Sequence, residues 1–193
     1  MLAVDGTEIS ISPCYGSVNI GAKQHPPAGH GGGSCHYDLL MSGEEIESVR
    51  LVFLRDQVGL LPSEQYPDVA ANLLVVGYDS PALRELAGYP PNDPRGARGS
   101  WIQTRKELGK PFEDDGVARR ILVRSWLSEI VGGTLAPRTG VGLVFGKGWL
   151  VLGQPTELDH LVALMDDWDD MPQKRDVIGT RIMDAARQAL TVW

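Results

Sequence analysis

The sequence predicts an α+β protein: a small N-terminal β region with a Gly/Pro-rich loop, packed on a predominantly α-helical body. Three observations point there. Short stretches within the first 60 residues alternate polar and apolar side chains, the period of a half-buried strand. From residue 62 onward a capping side chain repeatedly precedes a proline, the chemistry of a helix start. Two apolar stripes at helical spacing close the chain. With 193 residues, 42% hydrophobic and 22% charged, the chain suits one compact unit. The expected division is a β/loop region over 1–60 and a helical domain over 61–193.

Taken in order, Thr7-Glu8-Ile9-Ser10-Ile11 and Ser17-Val18-Asn19-Ile20 alternate as strands do, with Pro13 and Gly16 as punctuation. Residues 22–34 hold four glycines, two prolines and no side chain able to build a core, so they read as a loop. Cys35 to Met41 and Val49 to Leu54 read as two further strands, although Ser42 with Glu45 also fits a helix start. Pro67 opens a helix through Val69, Leu73 and Val76. Asp79-Ser80-Pro81 and Asp93-Pro94 open the next two, and Gly88 and Gly109 suit their C-terminal caps. From Val117 the apolar residues Ile121, Leu122, Leu127, Ile130 and Val131 spread widely enough for a largely buried helix, ended by Gly132-Gly133.

Five glycines between Gly140 and Gly153 argue against a helix. The runs Val141–Phe145 and Trp149–Leu152 around Gly146-Lys147-Gly148 therefore read as a hairpin. Thr156 with Asp159 has the capping-box pattern, and Leu158, Leu161, Val162, Met165 and Trp168 make one stripe. Ile178, Ile182, Ala185, Ala186, Ala189 and Trp193 make the last. The five tryptophans lie apart, each within a predicted element, which fits core packing.

Charge narrows the function classes. With 25 acidic and 18 basic side chains the net charge is −7, which repels a phosphate backbone, so nucleic acid is not an expected partner. No apolar run approaches the roughly 18–20 residues of a membrane span. MLAVDGTEISIS lacks the basic start and apolar stretch of a secretory signal, and the chain is read as cytoplasmic. His30-Gly31-Gly32-Gly33 spells an esterase oxyanion loop, but there is no G-x-S-x-G elbow to go with it. Gly140 to Gly148 fails the phosphate-loop spacing at Val141 and Gly148, and the dinucleotide fingerprint at Phe145. Ser80–Gly88 resembles the first helix of a helix-turn-helix, but Tyr89-Pro90-Pro91-Asn92-Asp93-Pro94 is too long and stiff for its turn.

Two signals survive. Cys14, His25, His30, Cys35 and His36 are five of the six Cys and His residues and fall within 23 positions. Thiolate and imidazole are zinc donors, and Glu44 or Glu45 would be the nearest general base for a small zinc hydrolase. No paired ligand spacing supports that set, and solvated loop histidines explain it better. The second signal is Asp166-Asp167-Trp168-Asp169-Asp170. Six acidic residues and no Lys or Arg lie between Thr156 and Gln173. Carboxylates at a helix C-terminus oppose its dipole, at roughly 0.3–1 kcal/mol apiece. A solvated acidic helix end, a Mg²⁺ or Ca²⁺ site with the D-D-x-x-D letters, and a docking surface for a basic protein all fit that pattern. The docking surface is the preferred functional reading.

The run Gly77-Tyr78-Asp79-Ser80-Pro81-Ala82-Leu83-Arg84-Glu85-Leu86-Ala87-Gly88, with Glu107-Leu108-Gly109, resembles uncharacterised helical proteins of high-GC bacteria. The likeness extends loosely from about residue 67 to the end of the sequence, through Glu129–Thr134 and Glu157-Leu158-Asp159. It implies a helical body and no particular chemistry. The reading is a non-enzymatic protein-binding or regulatory module that neutralises a basic partner through Asp166–Asp170. The alternative is a zinc metalloprotein using the Cys/His cluster.

Overall fold

Val49 to Leu54, an apolar run of strand-like length, lies inside a helix. The computed structural model describes residues 43–90 and 93–193, which fall in one compact unit, Leu40–Trp193. Its α-helices are α1 Gly43–Gln57, α2 Tyr66–Val75, α3 Pro81–Ala87, α4 Pro94–Glu107, α5 Asp115–Val131, α6 Pro137–Leu143, α7 Asp159–Asp170 and α8 Arg175–Val192. A π turn, Val144–Trp149, continues α6, and single 3₁₀ turns occupy Ser63–Gln65, Thr156–Leu158 and Pro172–Lys174.

Among the described residues there is no strand, so the α+β expectation gives way to an all-helical fold. The strands expected at 7–11, 17–20 and 35–41, and the loop at 22–34, lie outside the described residues. The apolar run of α1 splits between two stripes, Val49 with Phe53 on one and Leu54 on the other, which Val58 continues one turn later, just past the helix. An unbroken apolar run has no period to tell strand from helix, which is why Val49–Leu54 misleads. The expected boundary at residue 60 falls just after α1, a helix built into the core.

The hairpin expected over 140–153 gives way to helix as far as Trp149 and turns beyond it, and two of its glycines have a packing reason. A Cβ on Gly140 would lie 2.4 Å from Cγ1 of Ile130, and one on Gly148 would lie 2.4 Å from Cγ2 of Val123. Both partners belong to α5. Glycine here lets α6 and its π turn approach α5 more closely than any side chain permits, and that contact outweighs its poor helix propensity. Pro137 at the first turn fixes where α6 begins.

Elsewhere the helix-start chemistry works as the sequence indicates. The Ser80 hydroxyl accepts from the Leu83 amide at 3.2 Å, and the Asp93 carboxylate from the Gly96 amide at 3.0 Å. Asp114 caps α5 in the same way, accepting from Val117 at 3.0 Å. Thr156 and Asp159 do not form a capping box. Thr156 starts a 3₁₀ turn, and α7 begins at Asp159 with no side-chain cap.

Buried side chains form two clusters. Val49 and Phe53 of α1 join Val69 and Leu73 of α2, Leu83 and Leu86 of α3 and Trp101 of α4. Leu54 and Val58 join Leu122, Trp126 and Ile130 of α5, Leu161 and Leu164 of α7 and Ile178 and Ile182 of α8. One helix therefore contributes to both clusters, with its stripes displaced by one residue, about 100° around the axis.

Candidate functional site

α7 buries one face in the second cluster, and α6 and α8 flank it. Leu161 and Leu164 are buried and Trp168 is half-buried against the same cluster, which sets the rotation of the helix. Four carboxylates then fall in two pairs with different surroundings. Asp169 accepts a two-pronged pair of bonds from Arg138 of α6, Nε at 3.1 Å and Nη2 at 2.9 Å. That guanidinium holds the Asp169 carboxyl below the usual carboxylate range. Asp167 accepts from Arg181 of α8 at 3.0 Å. Trp168 has the Arg175 guanidinium 5.8 Å from its ring centroid.

Asp166 and Asp170 are different. Both are exposed, and among the described residues neither has a hydrogen-bond or ion-pair partner. Spaced i, i+4, they share one face of the helix one turn apart. Ala163 and Asp159 continue that face, and Asp159 accepts from the Trp149 indole N–H at 2.8 Å. The surface is thus a stripe with two carboxylates unpaired among the described residues, backed by two others that tie α7 to its neighbours.

Among the described residues no three Asp, Glu, His or Cys side chains are grouped as a cation requires. Of the D-D-x-x-D letters, Asp167 bonds to Arg181, which leaves Asp166 and Asp170 as the two without a partner among the described residues. Two outward carboxylates one turn apart do match the spacing of Lys or Arg on a facing helix or strand. Cys14, His25, His30, Cys35 and His36 lie outside the described residues, as does the zinc site they would form.

A further constellation went unread in the sequence. Arg105 of α4 is buried, and Nη1 donates to Oδ2 of Asp56 at 2.8 Å and to the Phe53 carbonyl at 2.9 Å. Its Nε and Nη2 donate to the carbonyls of Lys110 and Pro111, and the Tyr66 hydroxyl donates to the other Asp56 oxygen at 2.8 Å. Burial, then the Asp56 bond, pushes the Tyr66 hydroxyl up to about 12. Every group in it faces a partner, so it binds α1, α2 and α4 together rather than offering a reactive atom. Trp101, Thr104, Arg105 and Leu108 form a core-facing helical stripe. An arginine within such a stripe is the signal that could have revealed it.

Compared with known proteins, the chain matches no protein family, no curated protein and no solved structure.

Proposed function

We propose that this chain is a non-enzymatic protein-binding module whose α7 stripe receives a basic segment of another protein. The observation that supports it most is the split among the four aspartates: two are consumed by Arg138 and Arg181, while Asp166 and Asp170 are exposed and unpaired among the described residues. Two like charges one turn apart at a helix C-terminus destabilise the free protein. A facing cation relieves that repulsion, so part of the binding free energy comes from strain already present in the unbound surface. The net charge of −7 adds long-range steering toward a basic partner.

The test is affinity capture from the source cell. It uses the wild-type chain, the double reversal Asp166→Lys/Asp170→Lys, and a control with the same change in net charge, Asp68→Lys/Glu85→Lys. The expected result is a basic protein held by the wild type and the control and lost by the double reversal. Equal capture by all three, or equal loss from both variants, would refute the use of this stripe.

A further inference from the structure

On the α4 side of the molecule the charge pattern is inverted. Ile102, Lys106, Lys110, Pro111 and Phe112 line a groove of about 420 Å³ against the end of α4, with the paired Arg105 guanidinium in its wall. Ile102 and Phe112, 54% and 61% exposed, both line this groove, so their apolar surfaces share one site instead of standing singly. Phe112 is nevertheless held from behind. The Arg105 guanidinium lies 4.2 Å from its ring centroid. Arg105 is itself fixed by Asp56 and by the Phe53, Lys110 and Pro111 carbonyls.

The next residue is clamped too. The Glu113 amide donates to the Gln57 side chain at 3.0 Å, the Gln57 amide donates back to the Glu113 carbonyl at 2.9 Å, and Arg50 forms a two-pronged pair with the Glu113 carboxylate. A loop this constrained presents Phe112 in one orientation, which removes the ordering cost a mobile aromatic would incur on binding. The nearby carboxylates are already committed, Glu113 to Arg50 and Asp56 to Arg105. Among the described residues no carboxylate pairs with Lys106 or Lys110, and the Lys110 ammonium lies 5.4 Å from the Tyr78 ring centroid.

We infer that this groove docks a short acidic segment of a partner protein, with one apolar side chain seated between Ile102 and Phe112 and flanking carboxylates at Lys106 and Lys110. An apolar floor under a cationic rim, on a chain of net charge −7, selects a ligand that is both apolar and negative. The openness of the floor selects a peptide over a small amphiphile. Walls more than half exposed cannot enclose most of a small ligand's surface, whereas a peptide adds backbone and neighbouring contacts along the rim. The surface is separate in charge and in elements from the α7 stripe, so its fate does not depend on that reading.

The experiment is fluorescence anisotropy on the full chain at low and physiological salt. The probes are a labelled peptide of glutamates with central leucine and phenylalanine, the same peptide with lysine for glutamate, and dodecanoate as competitor. The acidic peptide should bind and weaken with salt. Lys106→Glu/Lys110→Glu and Phe112→Ala should each weaken it by at least about tenfold, the size of an interface hot-spot loss. Asp166→Lys/Asp170→Lys should leave it unchanged. Ile102→Ala, with circular dichroism on every variant, separates lost contact from lost fold. Failure of the acidic peptide to bind, equal binding of the lysine peptide, or full displacement by dodecanoate at micromolar concentration would overturn the proposal.

Discussion

Arg105 and Asp56 form an ion pair with Nη1 to Oδ2 at 2.8 Å and side chains only 4% and 9% exposed. Burial alone drives the Arg105 pKa down, and the Asp56 carboxylate opposes this. The pair fastens α4 to α1, the helix that contributes to both clusters.

Removing one partner should therefore be costly. Arg105→Met leaves the Asp56 carboxylate facing only Tyr66, and a loss of about 3–5 kcal/mol is expected in urea unfolding. Replacing both, Arg105→Met with Asp56→Leu, should cost less than the sum of the single changes. Equal or greater loss in the double variant would mean that the two charges are not coupled.

Tyr66 supplies a pH signature for the same network. Its hydroxyl titrates near 12 in the folded chain against about 10 in a free tyrosine. The neutral phenol is the favoured folded form, so its contribution is complete below pH 10. Between about pH 10 and 12 the unfolded chain binds fewer protons than the folded one, and stability falls as pH rises through that window. Tyr66→Phe should flatten that part of the pH–stability curve relative to wild type.

One packed glycine and one open glycine of the π turn make a paired comparison. Gly148→Ala forces a methyl against Val123 and should destabilise by about 1–3 kcal/mol, with partial rescue by Val123→Ala. Gly146 has open space where its Cβ would be, and Gly146→Ala should be neutral or stabilise by up to about 1 kcal/mol. Thermal unfolding of the three variants decides this.

These glycines also show where sequence reading stopped. Helix starts at Ser80, Asp93 and Asp114 are local chemistry, carried by a side chain three residues before the amide it satisfies, and were legible or nearly so. Gly140 and Gly148 have the opposite status. Their helical state depends on Ile130 and Val123, which are distant in sequence and silent in any window around residue 145. The same holds at the candidate site. The run of four aspartates was visible, but which two are free was not, because Arg138 and Arg181 reach it from other helices. The groove at Phe112 left only a faint trace, one aromatic residue between proline and glutamate in a polar loop.

The two aspartate pairs should separate in stability measurements. Asp166→Asn/Asp170→Asn removes repulsion without breaking a bond, and should leave the chain as stable or more stable by up to about 1 kcal/mol. Asp167→Asn/Asp169→Asn releases Arg181 and Arg138 and should lower stability, by no more than about 1 kcal/mol for exposed pairs. Free carboxylates that cost stability are the pattern expected of a surface kept for binding.

The most direct measurement is zero-length carbodiimide cross-linking of the captured complex, read by mass spectrometry, because it joins only carboxylates in contact with a partner's amines. The account predicts cross-links from Asp166 and Asp170 to lysines of the basic partner, lost on Asp166→Asn/Asp170→Asn. Cross-links confined to other exposed carboxylates such as Glu64, Glu85 or Asp176 would contradict it.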